Sequence, residues 1–145
     1  MSNLVQLVYI SHALFPASSN SSSVEPEVAR ILATARTKNK KVGLVGALYY
    51  GNSCFFQCLE GDEHEVDKLY EALHHDTRHD NLKLLSRRQI DQLSFSKWTM
   101  KYVSVDGDVK ALLASKGHKT FDPYNFDEDM VQSMLRLLQS SAETS

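Results

Sequence analysis

Alternating or continuous apolar residues predict five β-strands along the chain. In the first predicted strand, Leu7 and Tyr9 share one face and Val8 lies on the other. The second and third predicted strands are joined by Gly51-Asn52, which favours a tight hairpin at the centre of a sheet. The five predicted strands comprise residues 6–11, 43–50, 53–60, 81–89 and 98–103.

Apolar residues spaced three or four apart predict helices between these strands. The first helix begins near Pro26, and Asn39 lies close to its C-terminus on the apolar face. Asp62 and Glu65 form a capping box for a second helix, which we expect to end near Asp76. Two further helices are predicted over residues 108–115 and 127–139, and a serine-rich surface connection over residues 13–23.

The order of these elements is typical of a ferredoxin-like sandwich in the α+β class. Right-handed crossovers place the first two helices on one face of a five-stranded mixed sheet. Residues 43–50 are largely apolar on both faces, so the C-terminal helices are expected to cover the other side. We therefore predict a sheet domain over residues 1–104 and a helical extension over residues 105–145.

Composition and charge narrow the classes of function. A net charge of −2 and a pI near 6.3 exclude a basic surface for nucleic acid. Apolar runs are too short for a membrane span, and the N-terminus lacks a signal-peptide pattern, which predicts a cytoplasmic protein. Cys54 and Cys58 lie four residues apart on one strand, too far for a disulfide, and are expected to be reduced thiols.

Three polar residues fall on faces that otherwise pack: Tyr9, Asn39 and Gln57. A buried carboxamide without partners costs about 1–3 kcal/mol, so a polar group is expected opposite Gln57. The first and third strands are neighbours in the predicted fold, which brings Tyr9 and Gln57 together. Each residue taken alone is better explained by a hydrogen bond to the backbone. Together they indicate the polar edge of a ligand site.

These residues also lie in a series of separated motifs that resembles the BLUF family of flavin-binding blue-light photoreceptors. The resemblance covers about residues 4–103. The motifs, in chain order, are LVYIS, TKNKKVGLVGALYY, FFQCLEG, DTRH and KWTM.

The resemblance implies a non-covalently bound flavin, FAD with FMN or riboflavin as alternatives, between the first two helices. Asn39 and Gln57 are expected to bond the polar edge of the ring, with Gln57 bridging to Tyr9. Ile31 is expected to pack on the ring. Asp76 is expected to order its turn, and Arg78 and His79 are expected to meet the phosphate-bearing tail. Met100 and Trp98 are expected to relay the change at Gln57.

Under light, the resemblance implies that Tyr9 donates an electron and then a proton. Gln57 then rotates or tautomerises, and both alternatives remain open because an amide exchanges donor for acceptor either way. The roughly forty residues after Val103 are too few for a separate catalytic domain, so a sensor without enzyme activity is expected. Its signal is predicted to pass by contact to a downstream protein or through homo-oligomerisation.

The chain departs from the family pattern at two positions and leaves two other functions open. Ala35 and Ala72 stand where relatives often carry polar residues, so some flavin contacts need not follow the family.

A light-independent ferredoxin-like regulatory module is one alternative function for this chain. The other is a metal enzyme built on the clustered histidines around His75 and His79, although no zincin-like glutamate lies between them. We therefore predict no metal site.

Overall fold

The computed structural model describes residues 3–14, 26–96, 99–103 and 106–140. These residues form five strands, four α-helices and one 3₁₀ turn. In chain order they are β1 (Leu4–Ala13), α1 (Pro26–Val42), β2 (Val45–Gly51), β3 (Cys54–Asp62), α2 (Glu63–Leu73), β4 (His79–Gln89), β5 (Lys101–Val103), α3 (Asp106–Ser115), the 3₁₀ turn Pro123–Asn125 and α4 (Glu128–Ser140).

The sheet has the strand order β4-β1-β3-β2-β5. All neighbouring pairs are antiparallel except β2 and β5, which run parallel. The predicted five-stranded mixed sheet of a ferredoxin-like α+β fold is confirmed. Because β1 and β3 are adjacent at the centre, residues far apart in the chain face each other directly across the pair.

Each face of the sheet is covered by its own pair of helices. On one face, Leu7 and Phe55 pack with Val28 of α1 and Val66 of α2. On the opposite face, apolar side chains of the sheet pack with α3 and α4; they include Val8, Ile10, Phe56, Val109, Met134 and Leu138. The alternation of β1 residues between faces therefore agrees with the sequence pattern, and the predicted packing of the C-terminal helices beneath the sheet is confirmed.

Local boundaries differ from the prediction by one to three residues, and three of these differences lie close to the predicted site or hairpin. The hairpin turn consists of Asn52 and Ser53, with φ values of 48° and 59°, whereas Gly51 pairs with Cys54 in the ladder. The Gly51-Asn52 prediction is therefore wrong by one residue, because Asn and Ser adopt the left-handed conformation that this tight turn requires. Helix α2 ends at Leu73, before Asp76, and β5 begins at Lys101. Most of the predicted serine-rich connection, from residue 15, lies outside the described residues.

A buried carboxylate anchors the chain between β4 and β5. Glu60 has no exposed surface, accepts from Gln6 Nε2 at 2.8 Å, and accepts from the backbone N–H groups of Ser94 and Phe95 at 2.7 and 3.0 Å. Gln6 in turn accepts from Arg88 Nε at 3.2 Å. Three donors on one carboxylate compensate for its burial and hold the loop that leads to β5.

Candidate functional site

A cavity of about 290 Å³ lies between α1, α2 and the sheet. Its apolar lining includes Ile31 and Ala35 of α1, Leu48 of β2, and Leu69 and Ala72 of α2. Its polar lining includes Tyr9, Asn39 and Gln57, together with the exposed Lys38 and His75. A cleft with a mostly apolar surface that also carries several polar side chains suits a flat ring whose edge forms hydrogen bonds.

Tyr9 and Gln57 form the inner wall of this cavity. They are directly opposite each other in the β1–β3 pair, and the Tyr9 hydroxyl donates a hydrogen bond to Gln57 Oε1. Tyr9 is 2% exposed and Gln57 is 6% exposed. The strand pairing that the fold prediction required therefore brings these two residues into contact.

The nitrogen of the Gln57 amide faces a weaker partner than the oxygen does. Gln57 Nε2 lies 3.5 Å from Met100 Sδ, and Met100 is 1% exposed. A thioether sulfur is a weak acceptor compared with an oxygen. The amide is thus firmly held at its acceptor end and loosely held at its donor end, which leaves it able to change partners.

Burial keeps the Tyr9 phenol protonated. Desolvation raises the pKa of Tyr9 well above its usual value, and the negative charge of Asp76 and the neighbouring Tyr70 act in the same direction. The Tyr70 ring is tilted against Tyr9, with 5.4 Å between ring centroids. Tyr9 is therefore a neutral hydrogen-bond donor whose proton lies toward Gln57.

Asn39 lies in the last turns of α1 and is 1% exposed. Its Nδ2 donates to the Thr99 carbonyl at 2.7 Å, and Arg36 Nε donates to the Met100 carbonyl at 3.1 Å. The end of α1 therefore holds the backbone beside Gln57. The sequence prediction placed Asn39 at the site but did not identify this backbone contact.

The turn after α2 is organised by Asp76. Its carboxylate accepts from the Arg78 backbone N–H at 2.9 Å and from the Arg78 guanidinium, with the shortest of these contacts, from Nη2, at 2.6 Å. These hydrogen bonds lower the pKa of Asp76. Both residues line the cavity. The Arg78 side chain is 32% exposed and already paired with Asp76, so it would contact a ligand as part of this ion pair.

His79 lies in the wall of the cavity. Its Nδ1 lies 2.7 Å from Ser11 Oγ and its Nε2 lies 2.9 Å from the Leu73 carbonyl, and the residue is 8% exposed. Both ring nitrogens are engaged by the protein because β4 passes directly beside the end of α2. The expected contact between His79 and the phosphate-bearing tail of a flavin stays a prediction, and it would be made by a ring whose two nitrogens already have partners in the protein.

Other expected residues divide into those at the cavity and those outside the described part of the chain. Ile31 lines the cavity, and so do Ala35 and Ala72, the two departures from the family pattern. Trp98 lies outside the described residues. The contact between Tyr70 and Tyr9 was not predicted from the sequence. Tyr70 nevertheless belongs to the apolar stripe of α2, with Val66 and Leu73, and this stripe was expected to face the sheet.

Within the described residues, no three His, Cys, Asp or Glu side chains are grouped so as to hold a metal ion. None of the helices described there combines the length and the apolar character needed to cross a membrane.

Similarity to known proteins gives an independent indication of the family to which this chain belongs. The family model for BLUF, sensors of blue light using FAD, matches residues 4–101. The chain is 30% identical over 104 residues to the photoactivated adenylate cyclase subunit beta of Euglena longa; the match covers 72% of this chain but 12% of that protein. The chain therefore spans about an eighth of the length of this curated relative.

Solved structures show the same fold over nearly the whole chain. BlsA in its photo-activated state is 32% identical, with a TM-score of 0.87, and the match covers 98% of this chain and 99% of that one. The dark-state structure of the BLUF protein BlrB shares the fold at 23% identity, with a TM-score of 0.77 and coverage of 98% and 99%. The family model matches most of the chain, and this chain belongs to the BLUF family of blue-light sensors that use FAD.

Proposed function

We propose that Tyr9 and Gln57 are the photoactive switch of this sensor and that FAD binds non-covalently in the cavity between α1 and α2. The observation that best supports this proposal is the unequal hydrogen bonding of the two ends of the Gln57 amide. Its oxygen accepts from Tyr9, whereas its nitrogen faces the Met100 sulfur at 3.5 Å. A stronger acceptor on the cavity side, such as a ring nitrogen or carbonyl, suits this donor better than sulfur does.

The cavity residues fit such a cofactor. Asn39 and Gln57 supply the polar groups for the ring edge, and Ile31 supplies an apolar surface for its face. Arg78, positioned by Asp76, and the exposed Lys38 supply positive charge for phosphate groups. This charge favours FAD over riboflavin, because riboflavin has no phosphate. FMN and riboflavin stay as alternative occupants.

When bound, FAD supplies the absorption of blue light and an excited state that accepts an electron and a proton. Tyr9 is the donor in this scheme, because its phenol is neutral and its proton lies on the hydrogen bond to Gln57. Gln57 then rotates or tautomerises, which exchanges the donor and acceptor ends of its amide. A carboxamide makes this exchange without creating a buried charge.

The change at Gln57 passes to Met100 and, with Trp98, to the rest of the sheet. Residues 1–104 are the sensing domain in this proposal, and residues 105–145 are a helical extension that carries the output. The output is contact with a downstream protein or a change in homo-oligomerisation, without enzyme activity of the chain itself. The two free, buried thiols Cys54 and Cys58 suit a reducing cytoplasm.

A visible spectrum before and after blue light tests the proposal. Purified protein is expected to be yellow, to shift its absorption slightly to the red on illumination, and to return in darkness. Acid release of the bound chromophore followed by chromatography distinguishes FAD from FMN and riboflavin. A protein that takes up no flavin, or binds flavin without a light-dependent shift, contradicts the proposal.

A further inference from the structure

Residues 99–101 connect the proposed switch to the opposite face of the sheet. On the cavity side, Gln57 Nε2 lies 3.5 Å from Met100 Sδ. Asn39 and Arg36 of α1 hold the carbonyls of Thr99 and Met100. Any movement of the Met100 side chain therefore acts on a backbone segment that is already fastened to the cavity wall.

The next residue along the chain, Lys101, belongs to the other face. Side chains alternate across a strand, so Lys101 points away from Met100 and toward α4. It is 1% exposed, and its Nζ donates to the Gln139 carbonyl at 3.1 Å. A buried ammonium is held by a helix carbonyl 38 residues further along the chain.

Gln139 is the penultimate residue of α4, where backbone carbonyls have no partner within the helix. The negative end of the helix dipole favours a cation at this position. The last turn of α4 contains no basic residue of its own. Lys101 therefore supplies from the sheet the positive charge that the helix lacks.

We propose that Lys101 is a positioning residue that caps the C-terminus of α4 and couples it to the rearrangement at Gln57. The inference rests on the proposed function for its light dependence. The cap itself rests on the contact between Lys101 Nζ and the Gln139 carbonyl and is measurable in the dark.

The short β5 strand places Lys101 directly after Met100, so that a movement of Met100 reaches the end of α4 through one residue. It contains three residues, and it pairs on one side with Ala47, Leu48 and Tyr49 of β2. When the Gln57 amide reverses, an oxygen replaces the N–H group beside the Met100 sulfur, and two acceptors then face each other. Met100 is expected to move, and Lys101 moves with it because the two residues share a peptide bond.

Hydrogen exchange in α4, compared between Lys101→Met and wild type, tests the proposal. Methionine preserves most of the length and packing of lysine but lacks the charge and the donors. Lys116→Met is the matched control. Lys116 follows α3 and forms an exposed ion pair, at 2.7 Å, with Asp129 in the first turn of α4, at the opposite end of that helix. Exchange of residues 135–140 is measured by mass spectrometry in darkness and under blue light, alongside the visible spectrum.

Lys101→Met is expected to exchange these amides about five- to tenfold faster in darkness, since a charge cap stabilises a partly buried helix end. Illumination is expected to speed this exchange in wild type and in Lys116→Met, and to add little in Lys101→Met. The red shift stays normal in all three proteins. Lys101→Gln replaces Lys101→Met if the latter does not fold.

Exchange in Lys101→Met that equals wild type in darkness, or that keeps the full light-induced increase, overturns the inference. A wild-type protein without any red shift overturns the proposed function instead. In that case the dark comparison still decides whether Lys101 caps α4. The two failures are therefore distinguishable.

Discussion

In the proposed switch, Gln57 places the chemistry of the site in one uncharged side chain. Its burial costs about 1–3 kcal/mol unless its polar atoms are paired, and the structure pairs them unequally, with Tyr9 at the oxygen and Met100 at the nitrogen. An ionised side chain in the same place would need a compensating charge. An amide avoids that requirement and offers two bonding patterns of similar energy.

Gln57→Leu is expected to bind FAD and to lose the red shift completely, because leucine has no donor or acceptor to exchange. Visible spectra before and after illumination measure this effect. Gln89→Leu, at an exposed position of β4, is the control and is expected to respond as wild type does. A normal red shift in Gln57→Leu would falsify the assignment of this residue as the switch.

Tyr9 links the same site to alkaline stability. Because its pKa in the folded protein lies above the usual value of 10.0, the folded state keeps a proton that the unfolded state loses above that pH. The free energy of unfolding therefore falls as pH rises, by up to about 1.4 kcal/mol per pH unit from this group.

Tyr9→Phe is expected to lose that contribution, so its stability declines less steeply than wild type between about pH 10 and 11.5. Urea unfolding at a series of pH values measures the two slopes. Tyr124, whose pKa is also raised, by burial and by charged groups other than Tyr9, contributes equally to both proteins and cancels in the comparison. Parallel pH profiles would show that Tyr9 ionises as easily in the folded state as in the unfolded one.

Among the structural elements, the link between β4 and β5 depends on one carboxylate. Glu60 on β3 accepts from the backbone of Ser94 and Phe95, and its other oxygen accepts from Gln6 of β1. A central strand thereby holds a loop that has little regular structure of its own.

Glu60→Ala is expected to lower the free energy of unfolding by about 3 kcal/mol, because it leaves buried donors unpaired. Urea unfolding followed by circular dichroism measures the change. Glu71→Ala, at an exposed position of α2, is expected to change stability by less than about 0.5 kcal/mol. A loss for Glu60→Ala as small as that of the control would mean that solvent replaces Glu60 at these N–H groups.

At the scale of the whole molecule, the cavity separates two helices that would otherwise pack against each other over the sheet. A ligand that fills it binds the folded state alone, because α1, α2 and the strands assemble its walls only on folding. Such a ligand raises stability in proportion to the logarithm of its concentration. A cofactor bound in this cavity, as proposed, would therefore be part of the packing between the layers.

FAD at about one hundred times its dissociation constant is expected to raise the free energy of unfolding by about 2.7 kcal/mol over flavin-free protein. Urea unfolding at increasing FAD concentration measures the dependence. Riboflavin at the same concentration is expected to stabilise less, since it lacks the phosphates that Arg78 and Lys38 attract. Unfolding curves that do not move with FAD concentration would exclude the cavity as its site.

Much of the architecture follows from local patterns in the sequence. Alternation in β1 and β3 assigned Tyr9 and Gln57 to the same face as Leu7 and Phe55, and the order of the elements made those strands neighbours. The apolar stripe of α4 and the two apolar faces of β2 required a second layer of helices. These features were predictable because a strand or helix displays its period within a few residues.

Hydrogen-bond partners were decided by the tertiary structure. Gln57 contacts Met100 across 43 residues of sequence, and Lys101 reaches Gln139 across 38. His79 was expected at the ligand; it lines the cavity, and β4 brings its ring between the Ser11 hydroxyl and the Leu73 carbonyl, where both ring nitrogens are engaged. The sequence by itself determined which faces pack and which polar residues share them. The fold decided which atoms meet, because a hydrogen bond depends on positions within a fraction of an ångström that no periodic pattern specifies.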